Sequence, residues 1–220
     1  MASALRMTVA HIGTFGSEVA GLLPDGTTFI PADTTDVALA AIPPRTAIAL
    51  ISPVPVPRVE RVLSKAAHLW RTRFLPVVID RGRLRIGPVS APGVIGCSEC
   101  YRSRSRQHMG STEAQDAVEK ALTGHPHELV EGHLPMTAAL AASAVRSFPA
   151  SAAPEPGSAG ELRVYDPLSQ VMLRSTIVGV HGCRVCAPRR DWAERSTSRL
   201  ATYVPALLPL PTGATEGEER

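Results

Sequence analysis

A chain of 220 residues, 44% of them apolar, has material for one moderately large core, and no unbroken apolar run approaches a membrane span. Lys and Arg total 23 against 20 Asp and Glu, a modest net charge of +3 that does not by itself mark a polyanion binder. Aromatic residues are only 4%, which argues against stacking on single-stranded nucleic acid.

Residues 7–12 are a short apolar stretch with the composition of a buried strand. The turn His11-Ile12-Gly13-Thr14-Phe15-Gly16 follows, and residues 17–23 then read as a helix ended by Pro24-Asp25-Gly26. Strand, glycine turn and helix are the setting in which a G-x-G-x-x-G phosphate fingerprint has meaning. Here the first glycine position is His11, whose side chain would fill the tight turn beside a phosphate. After a second strand over 27–30, Asp33 stands near the place of an acid for ribose hydroxyls. It fits equally as an N-cap or turn residue of Asp33-Thr34-Thr35-Asp36. The pattern points to a Rossmann-like start more than to a nucleotide, and no cofactor-binding or catalytic residue is assigned.

Residues 46–51 read as a third strand, ended by Pro53-Val54-Pro55-Val56-Pro57. Over 58–70, Val59, Val62, Leu63, Ala66, Ala67 and Trp70 recur at helical spacing. A fourth strand over 74–79, the tight turn Asp80-Arg81-Gly82 and a hairpin partner over 83–89 come next. A polar, arginine-rich stretch after Cys100 leads to a helix over 112–122, then to an alanine-rich helix over 136–148 that can pack closely on a sheet. Residues 149–160, mostly Pro, Ala, Ser and Gly, are expected to be a flexible loop. Strands over 161–165 and 171–180, joined by Asp166-Pro167-Leu168-Ser169, follow. Residues 205–220 are expected to be a disordered tail.

All four cysteines fall in two short pairs, Cys97-Ser98-Glu99-Cys100 and Cys183-Arg184-Val185-Cys186. Two thiolates from one loop grip an ion, and two such loops complete a tetrahedral all-sulfur site of the kind Zn2+ favours. Four thiolates leave no open position, so the expectation is a structural zinc held by Cys97, Cys100, Cys183 and Cys186. The alternatives are disulfides or a redox pair. No signal peptide precedes the polar His-Ile-Gly turn, so a cytoplasmic setting with reduced thiols is expected, which favours the metal. Arg102, Arg104, Arg106, Arg189 and Arg190 flank the pairs, either as a patch for nucleic acid or an acidic peptide or as a solvated rim. His125, His127 and His133 lack companion carboxylates at fixed spacing and read as surface residues rather than a second metal site.

The segment Gly13-Thr14-Phe15-Gly16-Ser17-Glu18-Val19-Ala20 resembles the glycine turn of ThiF-like proteins, the superfamily of ubiquitin-activating-type adenylating enzymes. So do the paired Cys-x-x-Cys loops, the small-residue helix at Thr137-Ala138-Ala139-Leu140-Ala141-Ala142 and the strand end Val164-Tyr165-Asp166. The cassette Gly87-Pro88, Pro92-Gly93, Cys97-Ser98-Glu99-Cys100 is most similar to the cyclodehydratase-partner branch, which serves thiazole- and oxazole-modified ribosomal peptides. The order of parts covers residues 7–190. The resemblance implies a reduced, Rossmann-like ThiF-type α/β domain over 1–190, a homodimer, and two partners: a precursor (leader) peptide and an ATP-using, YcaO-type cyclodehydratase.

The chain also departs from that pattern. His11 replaces the first glycine, Pro31-Ala32-Asp33 lacks the Asp-x-Asp and Asn-Leu-x-Arg run, and Ser52-Pro53 stands where an aspartate would lie near the metal. Stabilising a reacting phosphate needs such groups placed together. The start so close to the first strand leaves no room in this sequence for a winged-helix module that grips a leader peptide. Leader recognition would then fall to a separate protein or to an exposed strand edge that adds a peptide strand. The expected function is a non-catalytic partner or scaffold in the making of azole-modified peptides, with neither a membrane nor nucleic acid as partner. The alternatives are an adenylating enzyme with a degenerate site and a zinc-ribbon-like nucleic-acid binder.

Overall fold

The strand β3 (Ala47–Ser52) is buried at all 6 positions, as befits a central strand covered on both faces. The computed structural model, which describes residues 6–108, 113–114, 116–117, 120–121, 134–148 and 160–186, builds that arrangement. These residues all belong to the unit Met1–Pro188. Beside β3 lie β1 (Met7–His11), β2 (Thr28–Pro31), β4 (Phe74–Asp80), β5 (Arg83–Ile86), β6 (Glu161–Asp166) and β7 (Val171–Thr176). They form one sheet in the order β2-β1-β3-β4-β5-β6-β7. The strands β2, β1, β3 and β4 run parallel. From β4 onward each neighbour is antiparallel, out to β7 at the edge. The first half is the expected Rossmann-like unit.

Alternating strand residues divide the core between the two faces. On one face Val9, Ala49, Ile51 and Val77 meet Phe15 and Val19 of α1 (Gly13–Gly21) and Ala138, Ala141 and Val145 of α4 (Leu134–Ser147). On the other, Ala10, Ile48, Leu50 and Phe74 meet Val59, Leu63 and Ala67 of α2 (Pro57–Leu69). A fourth helix, α3 (Ser98–Gln107), lies beside α2. Among the described residues no helix is long and apolar enough to cross a membrane.

Four boundaries differ from the expectations. The helix α1 begins at Gly13 rather than Ser17, because Gly13 turns at φ +65° and Ile12 serves as N-cap. The strand β5 stops at Ile86, where Gly87 (φ +97°) passes so close to the Glu161 carbonyl that a side chain would collide with it. The arginine-rich stretch after Cys100 is helical and belongs to α3. The strand β7 ends at Thr176, not Val180, and residues 177–180 leave the sheet for the cysteine loop. The described residues of the expected helix over 112–122 are helical. The expected loop over 149–160, save Gly160, and the tail over 205–220 lie outside the described residues.

One charged group is buried between α2, β5 and α3. The Arg85 guanidinium, 3% exposed, donates from Nη2 to Glu60 Oε1 at 2.6 Å and from Nη1 to the Gly87 carbonyl at 2.6 Å. It also lies 4.9 Å from the centre of the Tyr101 ring, whose hydroxyl donates to Asp80 Oδ2 at 3.3 Å. Burial alone would lower the Arg85 pKa, but the charges of Glu60, Tyr101 and Asp80 outweigh it and hold the guanidinium above its ordinary value. Removing one partner of such a pair strands the other charge in the core. Glu60→Ala should therefore lower unfolding free energy by about 3–5 kcal/mol in urea titrations, while Glu60→Leu with Arg85→Met should recover most of the loss.

Candidate metal centre

The first cysteine pair is placed by a helix start. Cys97 is the extended N-cap of α3 and Cys100 sits in its first turn, so both thiols project to one side. The second pair lies in the turns of residues 181–186. The four sulfurs lie within 4.8 Å of one another. Cys97 Sγ is 3.9 Å from Cys100 Sγ and 3.6 Å from Cys183 Sγ, and Cys100 Sγ is 3.5 Å from Cys186 Sγ. A tetrahedron with metal–sulfur bonds of about 2.3 Å has edges of about 3.8 Å, so these spacings suit one central ion. They are far beyond a disulfide bond, and none of the four is in one. All the sequence-predicted ligands thus come together.

Several neighbours that sequence patterns did not single out make that meeting possible. Gly96, at φ +120°, lets the chain before Cys97 lie against the Ile177 carbonyl, a place a side chain would block. Gly179 likewise admits Ile95. The Val180 N–H donates to Cys100 Sγ at 3.3 Å and the Gly96 N–H to Cys186 Sγ at 3.5 Å, bonds that stabilise thiolate charge. Ile177, Val180 and Val185 surround the sulfurs with apolar contacts. Arg61 on α2 grips Glu99 with two bonds, Nε to Oε2 at 2.9 Å and Nη2 to Oε1 at 3.1 Å, tying α2 to the first turn of α3. The signal available beforehand was a glycine directly preceding each pair, Gly96 and Gly182.

The cluster splits its protons unevenly. Sulfur–sulfur hydrogen bonds push the Cys97 thiol up, chiefly through Cys100, and the Cys100 thiol up, chiefly through Cys183. The same bonds, Cys100 first, pull Cys183 down and Cys186 down to about 6.

A second concavity lies at the C-terminal end of β1, where the order β2-β1-β3 reverses direction. There a crevice of about 610 Å³ is lined by His11, Gly13, Thr14, Ser17, Glu18, Pro31 and Ala32. Among the described residues its lining has no Lys or Arg to meet phosphates, and it carries the Glu18 carboxylate. Gly16 packs so tightly on His11 that a methyl group there would stand 2.9 Å from the His11 Cβ, and Gly13 abuts Pro53. Asp33 is a turn residue. Its Oδ1 accepts from the Thr35 and Asp36 N–H groups, both at 2.6 Å, and from the Thr35 hydroxyl at 2.7 Å. Those bonds, the Thr35 hydroxyl first, hold its pKa below the usual value. Ser52 Oγ donates to the Val54 carbonyl at 2.7 Å.

The remaining candidates divide. Arg104 donates to the Gly179 carbonyl at 3.4 Å, Arg106 pairs with Asp116 at 3.0 Å, and Arg102 is likewise engaged. The α3 arginines therefore serve internal contacts. Arg189, Arg190, His125, His127 and His133 lie outside the described residues.

No family model and no curated protein matches this sequence. Solved structures do match. A heterocyclase in complex with substrate and cofactor aligns over 84% of this chain and 25% of its own, with a TM-score of 0.58 and 18% identity. The heterocyclase TruD aligns over 91% and 32%, with a TM-score of 0.60 and 16% identity. The E. coli microcin synthetase McbBCD complex with pro-MccB17 bound aligns over 84% and 71%, with a TM-score of 0.55 and 13% identity. The chain thus spans only a quarter to a third of the length of the two heterocyclases. What these likenesses show is the fold, and it is the one that the resemblance to ThiF-like cyclodehydratase partners implies.

An ion bound by thiolates must displace the protons that the thiols carry. Apparent metal affinity should therefore rise with pH, with protons released on binding. Zn2+ titrations by calorimetry in buffers of differing ionisation enthalpy measure that release directly.

Proposed function

We propose that this chain is a non-catalytic partner subunit in the biosynthesis of an azole- or azoline-modified ribosomal peptide. It binds the precursor peptide, a YcaO-type cyclodehydratase, or both, and acts as a pair of identical chains in the cytoplasm. The observation that carries the reading is a heterocyclase-like fold that gathers four cysteines into one cluster while its switch-point crevice lacks cationic side chains. The peptide-bound synthetase of the same fold supports the choice of partner. The ring chemistry itself belongs to the ATP-using partner. Against the nucleic-acid reading stands the internal engagement of the α3 arginines.

In this reading Cys97, Cys100, Cys183 and Cys186 hold one structural Zn2+, closing the domain at its antiparallel end. The ion supplies folding free energy, roughly 10–16 kcal/mol in zinc-finger peptides. Cys183→Ser should lose the ion and most cooperative unfolding, as elemental analysis and thermal melting would record. A Cys183→Ser protein that kept both its metal and its melting temperature would refute the shared site.

The role is tested by mixing. The zinc-loaded protein should retain a YcaO-type enzyme or its precursor peptide on an affinity column and raise heterocycle yield in mass spectra. Mg–ATP titrated into the protein alone should give no binding heat. Micromolar, stoichiometric ATP binding would instead restore the adenylating alternative.

A further inference from the structure

At the N-terminal end of the parallel strands, exposed arginines stand side by side. Arg6 precedes β1, Arg45 leads toward β3, and Arg71 lies between α2 and β4. The Ala47 N–H donates to the Arg6 carbonyl at 2.9 Å and the Ile48 N–H to the Arg73 carbonyl at 2.8 Å, so the three approaches run together. The register that pairs Ile48 with Phe74, carried back three residues, sets Arg45 beside Arg71. Adjacent strands are about 4.8 Å apart, which spreads the three arginines over about 10 Å. Both Arg45 (φ +60°) and Arg71 (φ +54°) are left-handed. Arg71 follows the C-cap of α2 and Arg45 follows Pro44 in a turn, positions where glycine is the usual choice. A bulkier residue held there is strained, and such strain gathers where a side chain has a task. Arg81 (φ +52°), a third arginine in that conformation, is partnered by Asp80 at 3.3 Å. Among the described residues no carboxylate forms an ion pair with Arg6, Arg45 or Arg71.

We propose that this rim is a docking surface for a segment of a partner polypeptide in which acidic residues stand beside apolar ones. Three guanidinium groups gathered without a carboxylate repel one another, and the partner's Asp and Glu side chains relieve that repulsion. Leu69, 71% exposed, and Trp70, 45% exposed, immediately precede Arg71, so apolar surface borders the charges. A phosphate, free or in a nucleic-acid backbone, would answer the arginines and leave Leu69 in water. An acidic segment with apolar side chains covers both, and Trp and Arg are the residues on which protein contacts most often depend. The rim is also firmly built. The Thr72 hydroxyl donates to the Thr46 carbonyl, tying the two turns together. Arg73, at the same end, is fixed with its guanidinium 5.2 Å from the centre of the Phe148 ring. Little ordering is left for association to oppose.

The test is fluorescence anisotropy of a labelled synthetic peptide of Glu and Leu residues, with a Lys and Leu peptide as control, on the full chain. The wild type should bind the acidic peptide and not the basic one, with an affinity that falls as salt rises. Arg45→Gly with Arg71→Gly should bind roughly tenfold more weakly, yet melt no lower than the wild type, because glycine relieves the left-handed strain. Leu69→Ser should also weaken binding, and Arg81→Gly should leave it unchanged. Equal binding of the two peptides, or full binding by the double variant, would overturn the proposal. Should the double variant fail to fold, the exposed positions decide: binding unchanged in both Leu69→Ser and Arg6→Gln overturns it. Displacement of the peptide by inorganic phosphate at equal ionic strength, or tighter binding of a single-stranded oligonucleotide, would give the rim to phosphate and overturn it as well. Heterocycle yield with a YcaO-type enzyme is a separate readout, so a failure here leaves the functional reading standing.

Discussion

Four sulfur atoms from residues more than eighty positions apart must meet, and much of the antiparallel half of the molecule is arranged around that meeting. Among the described residues the cluster has little apolar support of its own: Val185 is its only buried apolar residue besides the cysteines, with Ile177 and Val180 packed alongside. A satellite core that small cannot hold two loops together by hydrophobic burial. A dication held by the four sulfurs would replace weak sulfur hydrogen bonds with coordination. The close passage of Gly96 beside Ile177 has the same logic, since a side chain there would hold the loops apart.

The crevice at the other end follows a different rule. Strand, turn and helix are kept because Phe15 and Val19 on α1 belong to the core beside Val9 and Ile51. That packing is indifferent to whether a phosphate is bound. The turn, by contrast, is filled by His11 against Gly16, and the neighbouring strand ends at Ser52 and Pro53 without a carboxylate. The packing of the fold and the lining of its switch point are thus served by separate residues.

The sequence was legible where burial imposes a period. The parallel strands read correctly because β1, β3 and β4 are apolar runs hidden on both faces, and α2 because Val59, Leu63 and Ala67 repeat at helical spacing. The four-cysteine cluster was legible because Cys-x-x-Cys spacing is itself a geometric statement. The helix α3 was not, since among its residues only Ser98 and Cys100 are buried and arginines fill the rest. Nor was the end of β7, which is set by a contact eighty residues away: Val180 must reach Cys100. The pairing of β5 with β6 is likewise long-range and leaves no periodic trace.

The edge strand and the metal loop are a single covalent run, and this joins the two ends of the argument. Thr176 closes β7, the Ile177 N–H donates to the Gly160 carbonyl at 2.8 Å, and Val180 binds Cys100 three residues later. No residue in that run is spare. An ion in the cluster would therefore fix the trailing end of β7, while Asp166 fixes its leading turn. A strand held at both ends presents a preformed edge to a partner, and one released at either end must be ordered again on association.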